Sequence, residues 1–164
     1  MKLGNGVIEC RVITSTGLHE FVAPAGTVVA GEWQHYAWVL NQNTVELFVD
    51  GVSLGTSSAS GTFQGSTRPF TVGITLQAGF NFIYKGGADE VSLWIKAFTQ
   101  ADVQDIMNNE LIGDEDDLIT YYKFNQGTPG GDNQSINQIN SEVGTGDINS
   151  NLMAFALTGY ASNF

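Results

Sequence analysis

Hydrophobic and polar positions alternate most regularly between residues 33 and 54. Over residues 33–40, Trp33, His35, Ala37 and Val39 fall on one side, and Gln34, Tyr36, Trp38 and Leu40 on the other, because successive side chains of a β-strand point to opposite faces. Apolar bulk on both sides predicts a strand interior to a sheet. In the next run Val45, Leu47 and Val49 share one face, and Glu46, Phe48 and Asp50 the other. That pattern predicts one core side and one largely solvated side. Asp50-Gly51 supplies a hairpin turn, since Gly tolerates the positive φ a tight turn needs, and residues 52–54 form the return strand.

The same reading extends along the chain. Residues 7–13 are β-branched and alternating, with a Gly4-Asn5-Gly6 turn before them, and residues 20–23 form a short strand broken by Pro24 and Gly26. His19 falls in a Gly-containing turn. Residues 57–67 are a small-residue loop; residues 69–76 are a strand with Pro69 at its start; Phe80, Phe82 and Tyr84 alternate. Gly86-Gly87 turns the chain into a strand over residues 88–96, with Val91, Leu93 and Ile95 on one face. One helix is predicted, opening on Thr99 with Asp102 as a capping pair, carrying Val103, Ile106 and Met107 at helical spacing, and stopped by Gly113. An acidic loop at residues 114–117 leads to a strand over residues 118–124. Residues 125–150 are rich in Gly, Asn and Gln, and residues 152–157 give a last apolar run. The pattern predicts an all-β chain with one short helix, forming a single domain over residues 1–164.

Composition adds limits. The chain has 164 residues, 20 of them Gly, with 42% hydrophobic and 14% charged residues, which suits a turn-rich β-protein with one core. The net charge of −11 repels phosphate backbones and anionic lipid, so neither nucleic acid nor membrane insertion is expected. Clustered carboxylates could instead hold Ca²⁺, a hard cation that takes oxygen ligands; the plainer reading is that the acidity maintains solubility. The lone Cys10 sits in an alternating apolar run and reads as a buried small hydrophobe. The first residues lack the apolar stretch of a signal peptide. Either the protein stays inside the cell, or its export information was removed or lies on a longer precursor.

Three motifs in order, Gly31-Glu32-Trp33-Gln34-His35-Tyr36-Ala37, Val45-Glu46-Leu47-Phe48-Val49-Asp50-Gly51, and Gly87-Ala88-Asp89-Glu90-Val91-Ser92-Leu93-Trp94 with Ala97-Phe98-Thr99-Gln100-Ala101-Asp102-Val103, resemble the laminin-G-like/pentraxin-type jelly roll. Their family patterns are "G-x-W-H-H-v-A", "l-Y-v-D-G" and "G-x-i-D-E-v-r-i-w … a-L-s-x-x-E-I". The resemblance covers about residues 4–124. It implies an antiparallel β-sandwich of the concanavalin A-like kind. The segment 125–164 resembles stretches that follow such domains in large secreted proteins of Bacteroidetes-type bacteria, which implies a secreted or cell-surface setting. The family normally opens with two or three further strands. Either this chain is a piece of a longer protein, or its C-terminal segment completes the sandwich. A vacant strand position would leave an unpaired sheet edge, where a second copy or a partner chain could pair.

The resemblance also implies a structural Ca²⁺ held with help from Asp89, with Asp132 or Asn133 as substitutes for ligands on the missing strands; the alternative for Asp89 is a strand-end cap on backbone amides. The acidic loop 114–117 lacks EF-hand spacing, and His19 and His35 make no zinc pattern. Trp33, Trp38, Trp94, Tyr36 and Tyr84 are either core or a sugar-stacking platform. Asn133-Gln134-Ser135 matches an N-glycosylation acceptor. No E-x-D-x-x-E string occurs, and Glu46 and Asp50 share a strand face with Phe48 between. Nucleophile-elbow, phosphate-loop and CxxC motifs are absent from the sequence. The chain is therefore read as non-catalytic: a carbohydrate- or glycoprotein-binding module of an extracellular or cell-surface protein, or alternatively a structural or adhesion module that holds no small ligand.

Overall fold

The structure, a computed structural model, describes residues 2–4, 7–67, 69–77, 80–144 and 150–151. They are mostly strands in antiparallel sheets, with one short helix. The chain divides into two compact units, the first made of Met1–Phe70 and Ala97–Asn109, the second of Thr71–Lys96 and Glu110–Phe164.

The first unit is layered. One sheet has the order β1 (Lys2–Gly4), β2 (Val7–Thr14), β3 (Gly17–Val22), and the other the order β4 (Tyr36–Asn41), β5 (Thr44–Val49), β6 (Val52–Ser58). Alternation on β2 sends Ile8 and Cys10 inward, where with Ala23 they meet Leu47 and Val49 of β5. Phe21, Val28, Tyr36, Trp38 and Leu54 pack around that core. Burial pushes the Cys10 thiol pKa up to about 11, which keeps it an inert hydrophobe at neutral pH. The other face of β4 and β5 carries Val39 and Phe48, and these pack with Val103 of the helix α1 (Gln100–Asn108), with Ala37 and Phe98 against them.

Several expectations change here. His19 lies within β3 rather than in a turn, paired with Val12 of β2. The strand expected from Trp33 begins at Tyr36, because the Gln34 side chain turns back and bonds the loop before it. Among the described residues β4 lies at the edge of its sheet, and β5 is the central strand. The face of β5 expected to be solvated is covered: Phe48 is 1% exposed beneath α1.

The Asp50-Gly51 turn forms as expected, with φ of 49° and 72°. A Cβ on Gly51 would lie 2.9 Å from Gln104 Cγ, and the Gln104 amide donates to the Gly51 carbonyl at 3.0 Å. Gly is needed there for both its φ and the helix's approach. The helix opens on the Thr99–Asp102 capping box in both directions. It ends at Asn108, before Gly113, where Asn109 turns to extended backbone.

In the second unit β7 (Ile74–Gln77) pairs with β8 (Phe80–Ile83), β9 (Val91–Trp94) with β10 (Leu118–Tyr122), and β11 (Gln138–Ile139) with β12 (Ser150–Asn151). Residues 69–73 stay irregular, so the strand expected over 69–76 is shorter and begins later. Thr120, Tyr121 and Tyr122 are buried. The Ser141 hydroxyl accepts from Thr120 Oγ1 at 2.8 Å, and Glu142 N donates to the Tyr121 carbonyl at 2.8 Å. On β9 and just beyond it, Leu93 and Ile95 face solvent, Ile95 at 76% exposure. The apolar run 152–157 lies outside the described residues.

Leu47 is fully buried in the sheet–sheet core, so Leu47→Ala is expected to cost about 2–5 kcal/mol. Thr99→Ala removes only a cap and costs about 1 kcal/mol. Urea unfolding of both variants checks the order; a Leu47→Ala loss no larger than that of Thr99→Ala would contradict the placement of β5.

Candidate functional site

The end of the loop between β3 and β4 is held chiefly by the side chains of Gln34 and Asp50. Gln34 Oε1 accepts from Val29 N at 2.7 Å and from the Tyr36 hydroxyl at 2.9 Å. Gln34 Nε2 donates to the Thr27 carbonyl at 3.1 Å and reaches toward Asp50 Oδ2 at 3.5 Å. Asp50 Oδ1 accepts from His35 N at 2.8 Å, while Asp50 N donates back to the His35 carbonyl at 2.9 Å. The hairpin turn after β5 therefore fastens the end of this loop. Trp33, between the exposed Glu32 and the bonded Gln34, is 75% exposed. An indole this open on a loop this well bonded is the most conspicuous surface feature of the first unit.

His35 completes the clasp through its backbone. Its ring is half-buried, and Nδ1 is buried without a hydrogen-bond partner. Burial holds the imidazole pKa below its ordinary value, against the opposing pull of the Asp50 carboxylate.

The five aromatics weighed as a sugar platform separate by environment. Tyr36 and Trp38 pack on the sheet–sheet core. Trp94 is half-buried and donates its indole N–H to Ser92 Oγ at 2.9 Å. Tyr84, in the second unit, is 45% exposed. Trp33 alone of the three tryptophans is mostly in solvent.

Asp89 and Asp132, the expected calcium ligands, are both exposed. Asp89 Oδ1 accepts from Glu90 N, and Asp132 Oδ1 accepts from Gln134 N, each at 3.1 Å. Asn133 is buried, its amide bonded both ways to Thr128, which also shields the glycosylation motif. Among the described residues no three or more His, Cys, Asp or Glu side chains converge. These residues do not by themselves build a carboxylate cage of the kind Ca²⁺ takes.

Other ionisable groups have structural work. Glu115 accepts from Ile112 N at 2.7 Å and Gly113 N at 2.9 Å. Slight desolvation pushes its carboxyl up, but these amides and its own outweigh it and hold the pKa below the ordinary value. The buried Tyr121 hydroxyl donates to the Glu90 carboxylate, and burial, then Glu90, raise its pKa. Lys123 Nζ lies 2.7 Å from Glu110 Oε1 and 5.6 Å from the Tyr121 ring centre. In the first unit Glu46 takes the Ser53 hydroxyl.

A laminin-G-type family of the concanavalin A-like lectin/glucanases superfamily matches residues 2–104, well over half of the chain. The chain belongs to that superfamily. As a laminin-G-type, concanavalin A-like domain it has the β-sandwich class that the resemblance implies, and domains of this type are generally binding modules. A solved S-layer domain-containing protein from Clostridium thermocellum ATCC 27405, residues 221–444, is similar at 21% identity and a TM-score of 0.44, over 56% of this chain and 46% of that one. No curated protein matches. No helix among the described residues is long and apolar enough to cross a membrane.

The clasp is what sequence reading of this laminin-G-type domain misses. The one signal for it is that Gln34 stands where the family pattern has its first His. A glutamine amide carries two donors and an acceptor oxygen with two lone pairs, enough to bind both Val29 N–H and the Thr27 carbonyl.

Because the folded pKa of His35 lies below its unfolded value of about 6.5, neutral His35 favours the folded state. That contribution is complete above the unfolded value and is lost as pH falls through the folded one. Urea midpoints are expected to drop on acidification below about pH 6.5, and to drop less in His35→Asn over the same window. Equal drops in the two proteins would show that His35 does not carry the effect.

Proposed function

We propose that this domain is a non-catalytic module of an extracellular or cell-surface protein that binds carbohydrate or glycoprotein. The observation that carries the reading is the different fate of its carboxylates and its indole. A glucanase on this fold needs two carboxylates facing a cleft. Here Asp50 holds the His35 amide and Glu46 holds Ser53, whereas Trp33 stands in solvent. Membership of a superfamily that includes lectins supports the same direction. The extracellular setting rests on the family resemblance, and a structural Ca²⁺ held with help from Asp89 and Asp132 would need further oxygen ligands beside these two carboxylates.

On an array of neutral and charged glycans, saturable binding is expected, with no reducing ends released from β-glucans. A parallel arm in EDTA tests calcium: loss of binding supports a structural Ca²⁺, and unchanged binding removes it from the proposal. A blank array together with concentration-dependent self-association would replace this reading with that of a spacing or adhesion module. Release of reducing ends would replace it with that of a hydrolase.

A further inference from the structure

We propose that Trp33 is the sugar-contacting residue, its indole stacking on the apolar C–H face of a pyranose in a neutral oligosaccharide, and that Gln34 positions it. The proposal rests on the carbohydrate-binding reading above and deepens it.

Three features favour this ligand. The first is order. Gln34 and Asp50 bond the backbone of Val29, Thr27 and His35, so the loop flanking Trp33 is fixed before any ligand arrives. A preformed loop loses little further conformational entropy on binding. The second is shape. Trp33 is a single open aromatic ring whose neighbours in the chain are the exposed Glu32 and the fully bonded Gln34. The core of a protein interface gathers several buried anchors, whereas a pyranose presents one apolar face about the size of an indole and a rim of hydroxyls. The third is charge. With a net charge of −11 on the chain, and with the residue before Trp33 an exposed glutamate, Glu32, an anionic ligand would be repelled, and a neutral polyol would not.

Gln34 acts through Trp33 and is a positioning residue. In Gln34→Glu the ionised side chain turns oxygens toward both the Thr27 carbonyl and Asp50, and the clasp opens. Once protonated, the same side chain again offers a donor to Thr27 and an acceptor to Val29 and Tyr36.

The test is the intact chain on an array of neutral gluco-, manno-, galacto- and xylo-oligosaccharides at about pH 8 and about pH 5, on either side of a raised carboxyl pKa. Trp33→Ala is expected to weaken binding by about tenfold or more, roughly 1.4 kcal/mol, with an unchanged circular-dichroism spectrum. Gln34→Glu is expected to weaken binding at the higher pH and to recover toward wild type at the lower, while wild type changes less. A blue shift of wild-type tryptophan emission on adding the bound sugar gives a readout that needs no variant to fold. Wild-type affinity in Trp33→Ala, or no emission shift, would overturn the Trp33 site and leave the binding-module reading standing. Binding by Gln34→Glu that is pH-independent and equal to wild type would overturn the positioning role. A wild-type blank on these neutral sugars with binding to charged glycans would overturn the site alone, and a blank on both would overturn the reading beneath it as well.

Discussion

Leu47 and Phe48 are neighbours in the chain, yet they point into two different cores. Leu47 meets Ile8, Cys10 and Ala23 of the facing sheet, and Phe48 meets Val103 of the helix. The rest of the first unit depends on this double burial of β5. A slip of one residue in the pairing of β5 with β4 would exchange the two faces. It would drive Glu46, which now holds Ser53, toward the sheet–sheet core, where an unpaired carboxylate is costly. The register Trp38↔Leu47 and Ala37↔Phe48 is thus fixed by two apolar demands at once, rather than by hydrogen bonding alone.

The same constraint reaches the surface. With β5 locked in register, its hairpin turn has only one place to put Asp50. From there the carboxylate holds His35 N, and its own N–H holds the His35 carbonyl. Gln34, one residue earlier, completes the clasp by bonding Thr27 and Val29. The exposed indole of Trp33 is therefore positioned by a chain of contacts that begins in the core. That the indole is left in solvent while Tyr36 and Trp38 are packed inside is a difference of three to five positions along one segment. The clasp produces it by curling the chain away before the strand begins.

What could be read from the sequence was what neighbours in the chain decide. The Asp50-Gly51 turn needs only two residues that accept positive φ, the Thr99–Asp102 cap needs only four, and the alternation of β2 and β5 is visible residue by residue. What stayed hidden depends on groups distant in the chain. Alternation assigns Phe48 to the solvated face because its cover, Val103, comes from a helix that follows β9 in the chain. Alternation assigns Trp33 to a strand because it does not register a side-chain amide bonding backwards. Asp89 and Asp132 each accept a nearby amide, a contact that no pattern of residue types reveals.

The order of the chain carries a further consequence for how this domain closes. It leaves the first unit at Phe70 and returns only at Ala97–Asn109. Val39 and Phe48 lie on β4 and β5, but the residues that cover them, Phe98 and Val103, follow much later. The sheet–sheet core can gather from residues before Leu54, whereas the helix-covered face waits for a long-range contact and its loop-closure entropy. The family match, which ends at residue 104, takes in Val103 and so includes the residue that closes this second core. The Gln104 amide on the Gly51 carbonyl then ties the returning helix to the turn that carries Asp50. The helix thus braces, from behind, the turn on which the clasp around Trp33 is built.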